Sequence, residues 1–435
     1  MKTLRIGAGA GFSGDRIDPA VELARDGHLD YLVFECLAER TIALAQLARR
    51  QGRSAGFDPL LRLRMEAVLP LCAENATRIV TNMGAANPEA AARETISIAR
   101  ALGLSGLRVA WVTGDDVLHL LADHSSGDPR ERLVSANAYL GIEPILDCLR
   151  NGANVILTGR VADPSLFLAP MVHEFGWAID DWLRLGKGTA VGHLLECAGQ
   201  LTGGYFADPG FKDVSDLDRL GFPIAEIEET GDALLTKLPG TGGALTIRNC
   251  KEQILYEVQD PSRYLTPDVT ADFTAIQFDE IGADRVRVSG ARGAERPPNL
   301  KVSTGFYSGF IAEGQISYAG PGALSRARLA RQILEKRLHW IPPSDLRMDF
   351  IGIDSIHGPA LSEPLCDPYE VRLRAAGRFF AESEALHLMH EVESLYVNGP
   401  AGGGGVVASM RENIAMDATF LPRNSVQPSI GFEVA

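Results

Sequence analysis

The sequence predicts an α/β protein, with an N-terminal doubly wound parallel sheet over residues 1–210 and a C-terminal α+β domain over 211–435. Three observations predict it. Apolar, β-branched runs alternate with helical segments through the first 170 residues, which is the pattern of βαβ units and a parallel sheet. Asp or Asn precedes proline at Asp18, Asp58, Asn87 and Asp163, where a capping side chain and a proline at the first helical position would start helices. From Asp213 onward the pattern changes to short strands separated by glycine turns. At 435 residues the chain exceeds one ordinary core. A distorted barrel is the alternative for the first half, but five units fall short of the usual eight.

Taken in order, Leu4–Ile6 reads as a buried strand. It runs into the glycine loop Gly7–Arg16, and a helix follows from Asp18-Pro19. Further strands are expected at Tyr31–Phe34, Arg78–Thr81, Leu107–Thr113 and Ala153–Thr158. Each is short and without strict alternation, as expected of strands buried on both faces. Helices follow from Asp58-Pro59, from Asn87 to Leu102 and from Asp163-Pro164, with a shorter one over Val117–Ala122 capped by Asp115. In the second half, strands are expected at Ile224–Glu228, Ala244–Arg248, Ala275–Phe278, Arg285–Ser289 and Phe306–Tyr318, with Met348–Ile353 extended. Helices are expected at Ser325–Leu338 and Glu382–Leu395.

A parallel sheet brings the C-terminal ends of its strands to one edge, where ligands bind. The residues just past each strand therefore converge. Glu35, Asp15 and Arg160 are candidate catalytic groups at that edge. Gly9, Gly11, Ser13, Gly14, Arg16, Asn82, Asn87 and Asp163 are candidate substrate contacts, although Asn87, Asp115 and Asp163 also suit helix capping. Glu35 and Arg160 sit directly at strand ends, away from cap positions. Four glycines in the first loop point to positive φ or to a close approach of another group to the main chain. In the middle of the chain a helix over Gly192–Gln200 places His193, Glu196, Cys197 and Gln200 on one face. His193 and Glu196 are therefore candidates for proton transfer. The competing reading is a packed helix with a satisfied histidine and an inert cysteine.

The stretch Gly9–Gly14 matches GxGxxG, and Glu35 stands where a ribose-binding acid would sit. The helix signal at Asp18-Pro19 comes too late for a pyrophosphate cradle, and Asp15 would place negative charge beside it. NAD is the weaker reading, and a carboxylate or phosphate held by the loop and Arg16 is the stronger one. Three further glycine-rich turns occur at 238–243, 320–323 and 398–405, the second leading into Ser325 and Arg326 as a candidate anion site. No metal site is expected. His387 and His390 lack a third ligand, and Asp115-Asp116 is at most a weak Mg2+ candidate.

Composition excludes several classes. A net charge of −14 argues against a nucleic-acid binder. The six cysteines (Cys36, Cys72, Cys148, Cys197, Cys250 and Cys366) are scattered without CxxC spacing, the pattern of reduced thiols rather than a disulfide or zinc framework. No apolar run is long enough for a membrane span, and the N-terminus lacks a signal-peptide apolar core. A cytoplasmic location and a homo-oligomer are the default expectations.

Six segments carry a resemblance. They are GAGAGFSGDR (7–16), FECLAERT (34–41), TNMGAANP (81–88), TGRVADPSL (158–166), LLECAGQLTGGYF (194–206) and NGPAGGGG (398–405). With them the chain resembles the acyclic terpene utilisation (AtuA) family over nearly its whole length. The resemblance implies catabolic work on branched acyl-CoA or related acids, alongside carboxylases, dehydrogenases and hydratases of citronellol and geraniol breakdown. It carries no catalytic residue over to this chain. Some members continue into a small ferredoxin-like domain, which a chain ending at Ala435 is expected to lack. Two functional readings follow. One is an acid–base enzyme of hydratase, lyase or isomerase type acting on a small molecule, CoA thioesters included, with no cofactor. The other is a non-catalytic ligand-binding or partner subunit of a catabolic assembly.

Overall fold

The five apolar runs of the first half form five parallel strands at the centre of one large sheet. The computed structural model describes residues 2–358, 360–361 and 368–435, so Cys366 lies outside the described residues. The first elements are β1 (Thr3–Ala10), α1 (Asp18–Asp26), β2 (Tyr31–Phe34), α2 (Glu39–Arg50), α3 (Leu61–Glu74), β3 (Arg78–Thr81) and α4 (Pro88–Ala101). Then come β4 (Arg108–Thr113), β5 (Arg132–Ala138), α5 (Glu143–Arg150), β6 (Val155–Thr158), α6 (Ser165–Phe175) and α7 (Trp182–Leu195). Next are β7 (Pro223–Glu228), β8 (Ala233–Lys237), α8 (Ile247–Leu255), β9 (Tyr264–Leu265), β10 (Thr270–Asp272), β11 (Gln277–Gly282), β12 (Arg285–Ser289) and β13 (Arg292–Ala294). The chain closes with β14 (Asn299–Ala319), α9 (Ala323–Arg337), β15 (Leu346–Ile351), β16 (Glu370–Phe379), α10 (Glu382–Asn398), β17 (Gly404–Pro422) and β18 (Ser429–Val434).

The large sheet has the order β11-β12-β8-β7-β1-β2-β3-β6-β4-β18. Its centre, β1-β2-β3-β6-β4, is parallel. β7 joins β1 antiparallel and β18 joins β4 antiparallel. The architecture is thus mixed α/β with a mixed sheet. β2 and β6 are buried at every residue, which accounts for their unbroken apolar sequence. The steps from β1 through β2 and β3 to β4 all run one way. The step from β4 to β6 runs back the other way. α3 packs against α1 and α4, and α6 packs against α5 and α7.

The chain divides into two compact units. One comprises Met1–Ala122, Val134–Thr304 and Ala418–Ala435, and the other Asp123–Leu133 and Gly305–Asp417. Residue 210 falls inside the first unit, because β7, β8, β12 and β11 continue the N-terminal sheet. A small sheet β13-β10-β9 also belongs to the first unit. The second unit is α+β. Ile316 and Tyr318 of β14, Leu334 of α9, Leu373 of β16 and Leu388 of α10 meet in its own core.

Three local expectations change. Ala244–Arg248 is the entry to α8 rather than a strand. Thr246 and Asn249 form a reciprocal capping box that starts the helix there. Val117–Ala122 forms only a 3-10 turn, Leu118–Leu120, and Asp116 rather than Asp115 accepts from the Leu118 N–H. Of the four Asp/Asn-Pro signals only Asn87 caps its helix, accepting from the Ala90 N–H. Two of the other three are turned to buried arginines.

Candidate functional site

The first loop is held from inside the protein. Arg64 of α3 is fully buried. Its Nη2 donates to the carbonyls of Phe12 (3.4 Å), Ser13 (2.8 Å) and Asp15 (3.2 Å). Its Nη1 faces Asp58 Oδ1 at 3.4 Å, and the Ser13 hydroxyl donates to Asp58 Oδ2 at 2.6 Å. Asp58 is thus an ion-pair partner that also accepts from the Leu60 N–H. The Asp15 carboxylate accepts from the N–H groups of Gly11 and Arg16, the groups that an anion in this loop would need. Arg16 turns outward to the carbonyls of Leu217 and Asp218.

The first strand runs on to Ala10, so Gly7 and Gly9 belong to β1 and the loop proper begins at Gly11; these glycines answer to packing. Gly9, Gly11 and Gly14 all have ordinary φ. A Cβ on Gly11 would lie 2.5 Å from the Cys197 carbonyl carbon, so this glycine lets two main chains touch. A Cβ on Gly9 would strike the Phe34 ring, and one on Gly14 the Phe12 ring.

The next strand ends do converge. Glu35 follows β2 and is buried. Its Oε1 accepts from the Leu37 N–H at 2.8 Å and from Asn82 Nδ2 at 2.9 Å. Asn82, just past β3, also accepts from the Cys36 N–H at 2.7 Å. Arg160 follows β6 and is 1% exposed. Its guanidinium donates to the carbonyls of Leu37 and Val161 and to the Asp163 carboxylate, and lies over the Tyr139 ring at 4.6 Å. Its N–H donates to Asp115 Oδ2, which also accepts from Asn137 Nδ2. Asp163 is therefore the counter-charge of Arg160 rather than a cap. Asn87 caps α4 and bonds the Ala55 carbonyl, away from this cluster.

Glu196 joins from the other side. α7 ends at Leu195, and a 3-10 turn over Ala198–Gln200 follows. His193 and Glu196 still share a face, with Nδ1 and Oε1 2.7 Å apart, while Gln200 leaves that helix face. His193 is stacked on Phe273 (5.8 Å) and tilted against Tyr264 (5.0 Å). His193 Nε2 and Glu196 Oε2 are buried without a hydrogen-bond partner of good geometry among the described residues. The Ile254 carbonyl lies near the ring.

Electrostatics ties these groups into one cluster. Burial, then the Asp163 charge, push the Glu35 carboxyl up to about 8, against the opposing pull of Arg160. Burial, then Asp163 and Glu257, push Glu196 well above the carboxylate range. Burial pushes His193 down to about 4. The His193–Glu196 contact is therefore a hydrogen bond between two neutral groups near pH 7. Asp163 is also raised by burial, with its side chain 34% exposed. Glu257 is exposed, has φ +58 and acts on Glu196, His193 and Asp163. A non-glycine residue at positive φ is uncommon and clusters at functional sites. Sequence reasoning missed Glu257, Tyr264, Tyr139 and Arg64. A positive φ leaves no trace in a glutamate, and none of these residues stands at the end of a central parallel strand.

The acyclic terpene utilisation family AtuA matches residues 4–432. The chain belongs to this family. Membership ties the AtuA chain to acyclic terpene utilisation, a catabolic role. No curated protein and no solved structure matches it. Among the described residues of this AtuA protein, no group of three or more His, Cys, Asp or Glu is placed to hold a metal ion. Asp115 is engaged by Arg160 and Asn137, and Asp116 pairs with Arg50 at 3.3 Å. Arg326 is turned back onto the carbonyls of Ala319 and Pro321. No described helix is long and apolar enough to cross a membrane.

Proposed function

We propose that this AtuA protein is an enzyme of acyclic terpenoid or branched-chain acyl-CoA and acid catabolism that works by proton transfer, as a hydratase, lyase or isomerase does. The carrying observation is Glu35. It is buried, hydrogen-bonded to Asn82 and titrates near working pH, so it can both give and take a proton. Arg160 is a positioning residue. It fixes the turn after Glu35 through the Leu37 carbonyl and supplies the positive charge that keeps Asp163 ionisable. The second proton group is His193. The Glu196 carboxyl donates to Nδ1, which puts the imidazole proton on Nε2, on the side of the ring near the Ile254 carbonyl. Asp163 and Glu257 are the more exposed charges of the cluster, and the rings of Tyr264 and Phe273 beside His193 suit a branched hydrocarbon chain. No cofactor is called for in this reading.

The test is turnover. Purified protein is assayed with branched unsaturated acyl-CoA thioesters and with the free acids. Glu35→Gln keeps the shape and removes the titrating proton, and kcat should fall by about 10²-fold or more. Full activity in that variant overturns the assignment. One observation favours a second reading, a non-catalytic binding or partner subunit. All of the Arg160 side-chain nitrogens, and Glu35 Oε1, are already engaged by protein groups. On that reading the same compounds bind without turnover.

A further inference from the structure

A separate recess of about 620 Å³ lies within the first unit. It collects Arg263, Arg296 and Arg423 from three different segments. Its volume falls in the range of small-molecule sites. Arg296 and Arg423 share one carboxylate, Glu143. Arg296 Nη1 lies 2.5 Å from Oε1, and Arg423 Nη1 lies 3.9 Å from Oε2. The rest of Arg423 is oriented by the carbonyls of Pro267 and Pro297. Burial, then the neighbouring Arg296 charge, lower the Arg423 pKa, against the opposing pull of Glu143 and Asp268. The Arg263 side chain makes no hydrogen bond or ion pair among the described residues. Glu295 also lines the recess, while Glu143 pairs with Arg296 and Arg423, Asp268 acts on Arg423, and Arg263 acts on Asp260. Three guanidiniums thus line one recess in a chain with a net charge of −14, with the Arg263 side chain the one that holds no ion pair among the described residues. Leu265 and the Pro297-Pro298 pair form an uncharged wall beside it.

We propose that this recess binds a phosphate-bearing small molecule, with its oxyanions on Arg263, Arg296 and Arg423 and its uncharged part against Leu265, Pro297 and Pro298. Guanidiniums present fixed forks of N–H donors that match phosphate oxygens. Glu143 engages Arg296 and Arg423 but leaves Arg263 without an ion pair. A bound anion would also relieve the repulsion between Arg296 and Arg423. The proposal is independent of Glu35 and of any reaction there.

Isothermal calorimetry of the full chain with pyrophosphate and with ADP tests it. One site per chain is expected. Arg263→Ala should weaken it about tenfold and Arg263→Glu should abolish it, because each charge-assisted bond contributes strongly to an anion site. The unfolding temperature should be unchanged in both variants, since Arg263 holds no other part of the protein. ADP binding tighter than pyrophosphate identifies a nucleotide, with the proline wall in use. Equal affinities identify the phosphate group alone, and either result supports the proposal. Absence of heat with both probes at millimolar concentration overturns it. So does undiminished affinity in Arg263→Glu.

Discussion

Glu35→Gln should change how stability depends on pH. The wild-type carboxyl has a pKa of about 8 in the folded protein against 4.5 when free. Between pH 6.5 and 8 the native state holds this proton and the unfolded chain does not. Stability therefore falls as pH rises through this window, with the native state binding the extra proton. His193 works the other way, since its pKa is lowered from 6.5 to about 4; its unfolded-state titration adds about 0.4 kcal/mol of stability between pH 6.5 and 8, equally in both proteins, and so cancels in the comparison. Integrating the Glu35 titration gives a loss of about 1.5 kcal/mol between pH 6.5 and 8, on the scale of 1.36 kcal/mol per unit shift. For a unit of this size that corresponds to about 2–3 °C in Tm. Glutamine cannot titrate. The wild type should thus lose about 2–3 °C more than Glu35→Gln when thermal unfolding at pH 6.5 and 8 is compared. Equal losses in the two proteins would refute the buried, protonated Glu35.

Three further outcomes are expected. Arg64→Met should destabilise the first unit by about 3–5 kcal/mol, because Asp58 is left buried without its counter-charge and three loop carbonyls lose their donor; urea unfolding checks this, and a loss below 1 kcal/mol would contradict it. Gly11→Ala should cost about 1–3 kcal/mol, since the new methyl would meet the Cys197 main chain and force it to move; an unchanged Tm would contradict it. Arg160→Gln should move the Glu35 titration to higher pH, because the nearest positive charge is gone. The infrared carboxyl band that disappears in Glu35→Gln reports its midpoint, and a downward move would be inconsistent with the cluster.

Much of the first half was legible in the sequence. Tyr31–Phe34 and Arg78–Thr81 are strands with the expected bounds, because a strand buried on both faces needs an unbroken apolar run and little else. Glu35, Asn82, Arg160 and Asp163 meet because parallel strands deliver their ends to one edge. Other features depend on partners distant in the chain. Asp58 and Asp163 look like caps in one dimension. Each instead faces a buried guanidinium that no spacing rule reveals. The extension of the sheet by β7 and β8 rests on an antiparallel pairing with β1 across more than 200 residues. Glycine content in the first loop signalled a close approach, but not that the approaching group is the Cys197 main chain rather than a ligand.

Deuterium transfer tests the central claim, acid–base chemistry at Glu35, most directly. A branched unsaturated acyl-CoA or its free acid is incubated with the protein in D2O and weighed by mass spectrometry. The account predicts deuterium on a substrate carbon, or an added water, with a rate about 10²-fold lower in Glu35→Gln. Substrates that bind yet gain neither, or a label that persists undiminished in Glu35→Gln, would contradict it.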